Sequence, residues 1–142
     1  MVPSTLPINL HIHGLDDWRW AIESDEISLV MLTSFGDWIY KKRDERIYVL
    51  DTMEGQETLI SNNIDEFTDK MKTNSFRDQW LLEGFVNRMN RENVSFSIGQ
   101  CVGWKLAPIA GGKTEYDNLD IFDYKTYSHI YSQVVRQCRG LI

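Results

Sequence analysis

The chain has 142 residues, and its 15 Lys and Arg against 21 Asp and Glu give a formal net charge of -6. An acidic balance argues against a general affinity for DNA, RNA or anionic membranes, because such binding needs clustered basic side chains. Hydrophobic residues at 42% and charged residues at 25% are globular values. We therefore expect one domain over residues 1–142, with residues 1–14 as a lead segment that can be partly flexible.

The opening residues "MVPSTLPINLHIHG" lack the charged start and apolar run of a secretory signal. The sequence has no stretch of about 18 apolar residues that could span a bilayer. Cys101 and Cys138 are the only cysteines, too few for a disulfide framework. These features predict a reduced, cytoplasmic location.

The first half of the chain begins with a helical pattern and then changes period. The segment "GLDDWRWAIES" predicts a short amphipathic helix, since Leu15, Trp18 and Ile22 recur at helical spacing. Four segments of strand character follow, namely "ISLVMLTS", "DWIYKK", "RIYVLDT" and "ETLIS". Their connections are too short for parallel crossovers, so we predict an antiparallel meander.

The second half is mainly helical. Asn63 and Glu66 have the spacing of a capping box and predict a helix start. Another helix is predicted from Ser75, with one broad apolar stripe made of Leu81, Leu82, Phe85, Val86 and Met89. "QCVGWKL" and "NLDIFDY" are candidate strands, and a last helix ends near Gly140. The fold class predicted is α+β, an antiparallel β-meander sheet packed against several α-helices.

The octapeptide "APIAGGKT", residues 107–114, matches the relaxed form of a phosphate-binding loop. Such a loop must follow a buried parallel strand and open directly into a helix. Here carboxylates occupy the place of that helix start, and only 28 residues follow Thr114. We therefore interpret Gly111 and Gly112 as turn glycines and predict no nucleotide cofactor.

No other motif predicts catalysis. His11 and His13 alternate on a possible strand, but two ligands do not make a zinc site. His129 is expected on the exposed side of the last helix, and Cys138 in its apolar stripe. Carboxylates are scattered without a spacing that singles out an acid and a base. The sequence thus predicts no catalytic residue, no cofactor and no metal site.

The C-terminal stretch from Gly99 is more distinctive. It contains a "GW" pair, a proline, a double glycine, an asparagine six residues later and a glutamine in the final helix. The residues in order are Gly103, Trp104, Pro108, Gly111, Gly112, Asn118 and Gln133. Gly36 and Asp37 in "TSFGDWIY" match an early hairpin. In these residues the chain resembles, over about residues 20–141, a bacterial family associated with immunity proteins of type VI secretion toxins.

The resemblance implies a non-catalytic cytoplasmic protein that binds and neutralises a cognate toxic effector, which in characterised relatives is a DNase. The effector is expected to be encoded by the adjacent gene. The matching residues are expected to be a shared scaffold, while the toxin-binding surface should differ between relatives. A regulatory or adaptor protein of a secretion system with another partner remains the alternative.

An acidic inhibitor suits a nuclease, because the groove that holds phosphates is basic. Carboxylates are therefore the expected contact groups. The first candidate cluster consists of Glu115, Asp117, Asp120 and Asp123. The second, on the helix after Asn63, consists of Asp65, Glu66 and Asp69. The alternative for both clusters is that they are solvated faces without a partner.

Overall fold

The computed structural model describes residues 1–24 and 26–141. Its strands form two antiparallel sheets, one of five strands in the order β1-β2-β3-β4-β5 and one of two strands, β6-β7. The strands are β1 (Thr5–Leu6), β2 (Ser28–Thr33), β3 (Trp38–Lys41), β4 (Ile47–Asp51), β5 (Gln56–Ser61), β6 (Gln100–Trp104) and β7 (Leu119–Asp123). The α-helices are α1 (Ile8–His11), α2 (Gly14–Asp17), α3 (Ile64–Lys70), α4 (Asn74–Leu81), α5 (Glu83–Arg91) and α6 (Tyr124–Cys138).

The predicted α+β class and the antiparallel meander from β2 to β5 are confirmed. The sheet has one strand more than expected, because β1 pairs Thr5 with Thr33 and Leu6 with Leu32 at the outer edge of β2. Two residues are too few to show an alternating pattern, so the sequence contained no signal for this strand. β6 and β7, predicted as strands, pair with each other in a separate two-stranded sheet.

Both faces of the main sheet are buried. Side chains of successive residues point to opposite faces of a strand, so neighbouring residues belong to different cores. Trp38 and Tyr40 belong to a larger cluster, the major core, together with buried residues of α5, α6 and β6. Ile39, between them in sequence, belongs to a smaller cluster, the minor core, together with residues of α3 and α4. The architecture is thus a sheet between two layers.

The predicted continuous helix from Ser75 is wrong. The structure divides it into α4 and α5 at Leu82, whose backbone is left-handed with φ 50° and ψ 42°. The apparent single stripe is two stripes, since Leu81 packs in the minor core and Val86 in the major core. One straight helix cannot pack against cores on opposite faces of a sheet. The break at Leu82 lets α4 pack against the minor core and α5 against the major core.

A bidentate ion pair spans this break. Arg77 on α4 donates from Nε to both carboxylate oxygens of Glu83, each at 2.9 Å, and Ser4 Oγ donates to Glu83 Oε2 at 3.0 Å. The first residue of α5 is therefore tied both to α4 and to the N-terminal segment. Within residues 1–24 and 26–141, no helix has the length and apolarity needed to cross a membrane.

The break at Leu82 generates the first prediction. A left-handed backbone costs a non-glycine residue roughly 1–2 kcal/mol, which glycine avoids. We expect Leu82→Gly to be more stable than Leu82→Ala by about 1 kcal/mol in urea unfolding, since both lose the leucine side chain. If residue 82 lay inside a continuous helix, the alanine variant would instead be more stable than the glycine variant, by about 1 kcal/mol. A more stable alanine variant would contradict the observed break.

Candidate functional site

The loop between β6 and β7 contains the double glycine, and one side chain holds it closed. Asn118 accepts a hydrogen bond from Leu106 N at 3.0 Å and donates to Leu106 O at 2.8 Å and Lys113 O at 2.9 Å. Its own carbonyl accepts from Lys105 N at 2.7 Å. The matching asparagine thus joins both ends of the loop.

The glycines shape a turn in this loop. Pro108–Ala110 form one turn of 3-10 helix, and Gly111 follows with φ +103°, a conformation that L side chains rarely adopt. A Cβ atom on Gly112 would lie 1.9 Å from the carbonyl oxygen of Leu106. After Thr114 the chain makes a 3-10 turn at Tyr116–Asn118 and enters β7. A helix N-terminus, which a phosphate loop requires, does not follow within residues 115–118.

Gly103 and Trp104 lie in β6 against α6. A Cβ atom on Gly103 would lie 2.5 Å from the ring of Tyr127, and the backbone N–H of Trp104 donates to Tyr127 Oη at 2.9 Å. The absence of a side chain at Gly103 therefore lets α6 approach the strand closely. Gln133 differs from the other matching residues, because it is exposed on α6, with its Nε2 3.4 Å from His129 Nε2.

Gly36 and Asp37 form the turn between β2 and β3. Gly36 has φ +87°, and the backbone N–H of Thr52 donates to Asp37 Oδ1 at 2.9 Å. The Thr52 hydroxyl donates to the same oxygen. Desolvation, followed by the nearby Asp51 carboxylate, raises the pKa of Asp37 to about 7. Asp37 thus ties the β2–β3 turn to the end of β4, in a site that disfavours its charged form.

The first candidate acids lie along the end of the β6–β7 loop and on β7. Glu115, Asp117 and Asp120 are exposed, and among the described residues they form no ion pair. Asp123 is the N-cap of α6 and accepts from Thr126 N at 3.0 Å and from its hydroxyl at 2.9 Å. These bonds lower the pKa of Asp123, so its carboxylate stays ionised and keeps a structural role.

The second candidate acids lie on α3 and are largely paired. Glu66 Oε1 lies 2.8 Å from Lys70 Nζ, and Asp69 Oδ1 lies 3.4 Å from Lys72 Nζ. Asn63 caps the helix by accepting from Glu66 N at 2.8 Å, as the capping-box spacing predicts. Asp65 is exposed.

The structure does not bring the two acidic clusters together. α3 covers the face of the sheet that carries the minor core, whereas β7 belongs to the layer over the major core. A single partner surface of ordinary size is therefore expected to contact one cluster and not both.

The predicted histidine strand is wrong. His11 ends α1 and is buried against Tyr124, with ring centroids 4.4 Å apart, while His13 is exposed between α1 and α2. Desolvation lowers the pKa of His11. His129 is exposed as expected, and its Nδ1 lies 3.1 Å from Asp17 Oδ1. Among the described residues, no three His, Cys, Asp or Glu side chains are grouped closely enough to hold a metal ion.

One of the two cysteines differs from expectation. Cys138 is exposed at the end of α6, although the helical spacing placed it in the apolar stripe. That stripe turns away from the core in the last turn of the helix, since Val135 is the last buried residue. Cys101 is fully buried in β6, and burial raises the pKa of its thiol, so it is protonated at neutral pH.

Comparison with known proteins identifies one family. A family model described as "T6SS immunity protein Tdi1, C-terminal" matches residues 61–135, just over half of the chain. The match runs from the last residue of β5 into α6 and includes the double-glycine loop and both acidic clusters. No curated protein matches the chain.

The hydrogen bonds of Asn118 generate a prediction. We expect Asn118→Ala to lower the free energy of unfolding by roughly 1–3 kcal/mol, because three side-chain hydrogen bonds are lost and two carbonyls and an N–H lose a partner. The loop should also become more sensitive to protease. Urea unfolding and limited proteolysis measure both effects. Asn87→Ala, at an exposed position on α5, is the control, and an equally small effect in both variants would contradict the role of Asn118.

The raised pKa of Asp37 generates a third prediction. Between about pH 4 and 7 the folded protein retains a proton at the Asp37–Asp51 pair that the unfolded chain releases. The free energy of unfolding therefore falls as pH rises through this window, by at most about 1.4 kcal/mol per pH unit for one proton. We expect Asp37→Asn to remove this contribution, so that its stability relative to the unmodified protein increases from pH 4 to pH 7.

Denaturant unfolding at several pH values checks this expectation. Asp44→Asn is the matched control, because Tyr48 donates a hydrogen bond that lowers the pKa of Asp44. The contribution of Asp44 to the free energy of unfolding is lost only as the pH falls below about 4, outside the window of pH 4 to 7. If the Asp37→Asn and unmodified profiles run parallel from pH 4 to pH 7, Asp37 is not the group responsible.

Proposed function

The chain belongs to the family of the type VI secretion system (T6SS) immunity protein Tdi1, and we propose that it binds and neutralises one cognate secreted effector. The proposed effector is a nuclease acting on DNA. Neutralisation is by protein–protein contact, without catalysis by the immunity protein. Its expected site of action is the cytoplasm, and the gene of the effector is expected to be adjacent.

Charge supports a nuclease as the partner. The inhibitor carries a net charge of -6, and a nuclease groove is basic because it holds phosphates. Opposite charges steer the two proteins together and raise the association rate, most strongly at low ionic strength.

The observation that carries the interface proposal is the state of the acidic side chains. Glu115, Asp117 and Asp120 are exposed and form no ion pair within the part of the chain that the structure describes. Glu66 and Asp69 on α3 already have lysine partners. A carboxylate that forms no internal ion pair is more available to a basic partner than one that already has a lysine beside it. We therefore propose that Glu115, Asp117, Asp120 and Asp123, named the β7 cluster after the strand that contains the last two, contact the effector. Asp65, Glu66 and Asp69 are proposed to form a solvated face.

The residues that carry the family resemblance are proposed to support the fold and not to contact the effector. Asn118, Gly103 and Gly112 are occupied by contacts within the protein, which leaves them little capacity to bind a partner. Gln133 is the exception, since it is exposed on α6. A scaffold that holds a variable surface accounts for inhibitors of one fold that bind different effectors.

Co-expression tests the function. The protein encoded by the adjacent gene is produced in a bacterial host with and without this chain, and survival and chromosomal DNA integrity are measured. We expect killing and DNA degradation without the chain, and survival with it. Killing in the presence of abundant, folded chain would overturn the immunity function. If the effector kills without degrading chromosomal DNA and the chain still protects the host, immunity is retained but a DNase is excluded as the effector.

Charge reversal tests the proposed contact. We expect the double variant Asp117→Lys and Asp120→Lys to bind a catalytically inactive form of the effector at least about tenfold more weakly, mainly through slower association. Stopped-flow or surface-based kinetics at two salt concentrations measure the change, which should shrink at high salt.

The matched control is the double variant Asp65→Lys and Asp69→Lys. It makes the same charge change on the opposite layer of the protein. We expect it to retain affinity within about threefold, which reflects only the change in overall charge. Equal losses in both double variants would indicate a general charge effect and remove the β7 cluster from the interface.

A further inference from the structure

An open groove with a volume of about 410 Å³ lies beside the β7 acids. The wall formed by α6 contains Tyr127, Ile130 and Val134, and the opposite wall contains Leu106 and Ala110 of the double-glycine loop. Phe122 of β7 lies between the walls. The lining is predominantly apolar, which is typical of a site that accepts an apolar side chain.

Two large apolar side chains stand exposed at this groove. Ile130 is 55% exposed and Leu106 is 52% exposed. Neither position needs an apolar residue for the fold, since Ile130 lies on the outer surface of α6 and Leu106 is held in the loop by its backbone. Apolar side chains clustered beside a depression, with polar groups around them, are the usual anatomy of a protein–protein contact.

Contacts within the protein hold both sides of the groove. Phe122, Tyr127 and Tyr131 stack on one another with ring centroids 4.8 and 4.9 Å apart. Asn118 fixes the loop that forms the other wall. A site that exists before binding loses little conformational entropy when a partner docks, which favours affinity.

The charges around the groove indicate what fills it. Asp123 lines it, and Asp120 lies on the same strand three residues earlier. Neither carboxylate forms an ion pair among the described residues. Lys105 lies on the loop wall and repels a second positive charge there. A positive charge of a partner is therefore expected to bind at the β7 side of the groove, next to the carboxylates.

We propose that this groove receives an aromatic or long aliphatic side chain of the effector, next to an arginine or lysine that pairs with Asp120 or Asp123. The proposal rests on the proposed function, because it identifies the part of the inhibitor that the effector contacts. A second copy of the chain is the poorer occupant, since it would bring its own β7 acids against these acids, and like charges repel.

Substitution of Ile130 tests the groove. The probe is the catalytically inactive protein encoded by the adjacent gene, and binding is measured by calorimetry. We expect Ile130→Glu to weaken binding by about tenfold or more, a loss typical of residues that anchor an interface. Ala110→Trp keeps the site apolar but fills the groove, and the same loss is expected from it. Thermal unfolding verifies that both variants are folded.

The matched control is Ile64→Glu. Ile64 is 45% exposed at the start of α3, over the opposite face of the sheet, and the substitution makes the same chemical change. We expect its affinity for the effector to stay within about twofold of the unmodified protein.

The outcomes separate the groove from the function. If the unmodified protein binds the effector and folded Ile130→Glu and Ala110→Trp bind equally well, the groove is not the contact, while immunity stands. If the unmodified protein does not bind the effector at all, both proposals fail. If Ile130→Glu instead abolishes self-association measured by sedimentation and leaves effector binding unchanged, the occupant is a second copy and the proposal is overturned.

Discussion

Burial of both faces of one antiparallel sheet is the constraint on which the rest of this structure depends. Trp38 and Tyr40 on one face, and Ile39 between them on the other, each need an apolar layer to exclude water. The chain must therefore supply helices to both sides. It passes from one side to the other at Leu82, where an unfavourable left-handed backbone is offset by packing in two cores and by the Arg77–Glu83 pair.

The same constraint separates a structural part of the surface from an interaction part. α3 and α4 cover the minor core, and Glu66 and Asp69 of α3 form ion pairs with Lys70 and Lys72. The layer over the major core contains α6 and the β6–β7 hairpin. It combines an apolar groove with acids that form no ion pair among the described residues. Asp123 joins the two roles, since it caps α6 and lines the groove. The proposed interface is therefore built on elements that hydrogen bonds of Asp123 and Asn118 hold in place, which keeps it in one geometry.

Much of the fold was predictable from local patterns. The four meander strands, the helix start at Asn63 and the final helix each depend on residues within a few positions of one another, and the structure contains them all. The failures share one cause. The two-residue strand β1, the break at Leu82 and the exposure of Cys138 depend on what packs against each segment from distant parts of the chain. For the candidate site, the sequence identified the β7 acids and the loop, but the groove between α6 and the loop is formed by residues up to 30 positions apart and has no local signature.

The sequence by itself determined the fold class, the family and the sign of the charge, because periodicity, motif spacing and composition are properties of the chain alone. Only the tertiary structure decided which acids keep an available charge, because ion pairing and capping depend on distances between side chains. It also decided the role of "APIAGGKT". There, Asn118 and the glycines close a turn rather than a phosphate site, since the hydrogen bonds to Leu106 and Lys113 join residues that the sequence leaves apart.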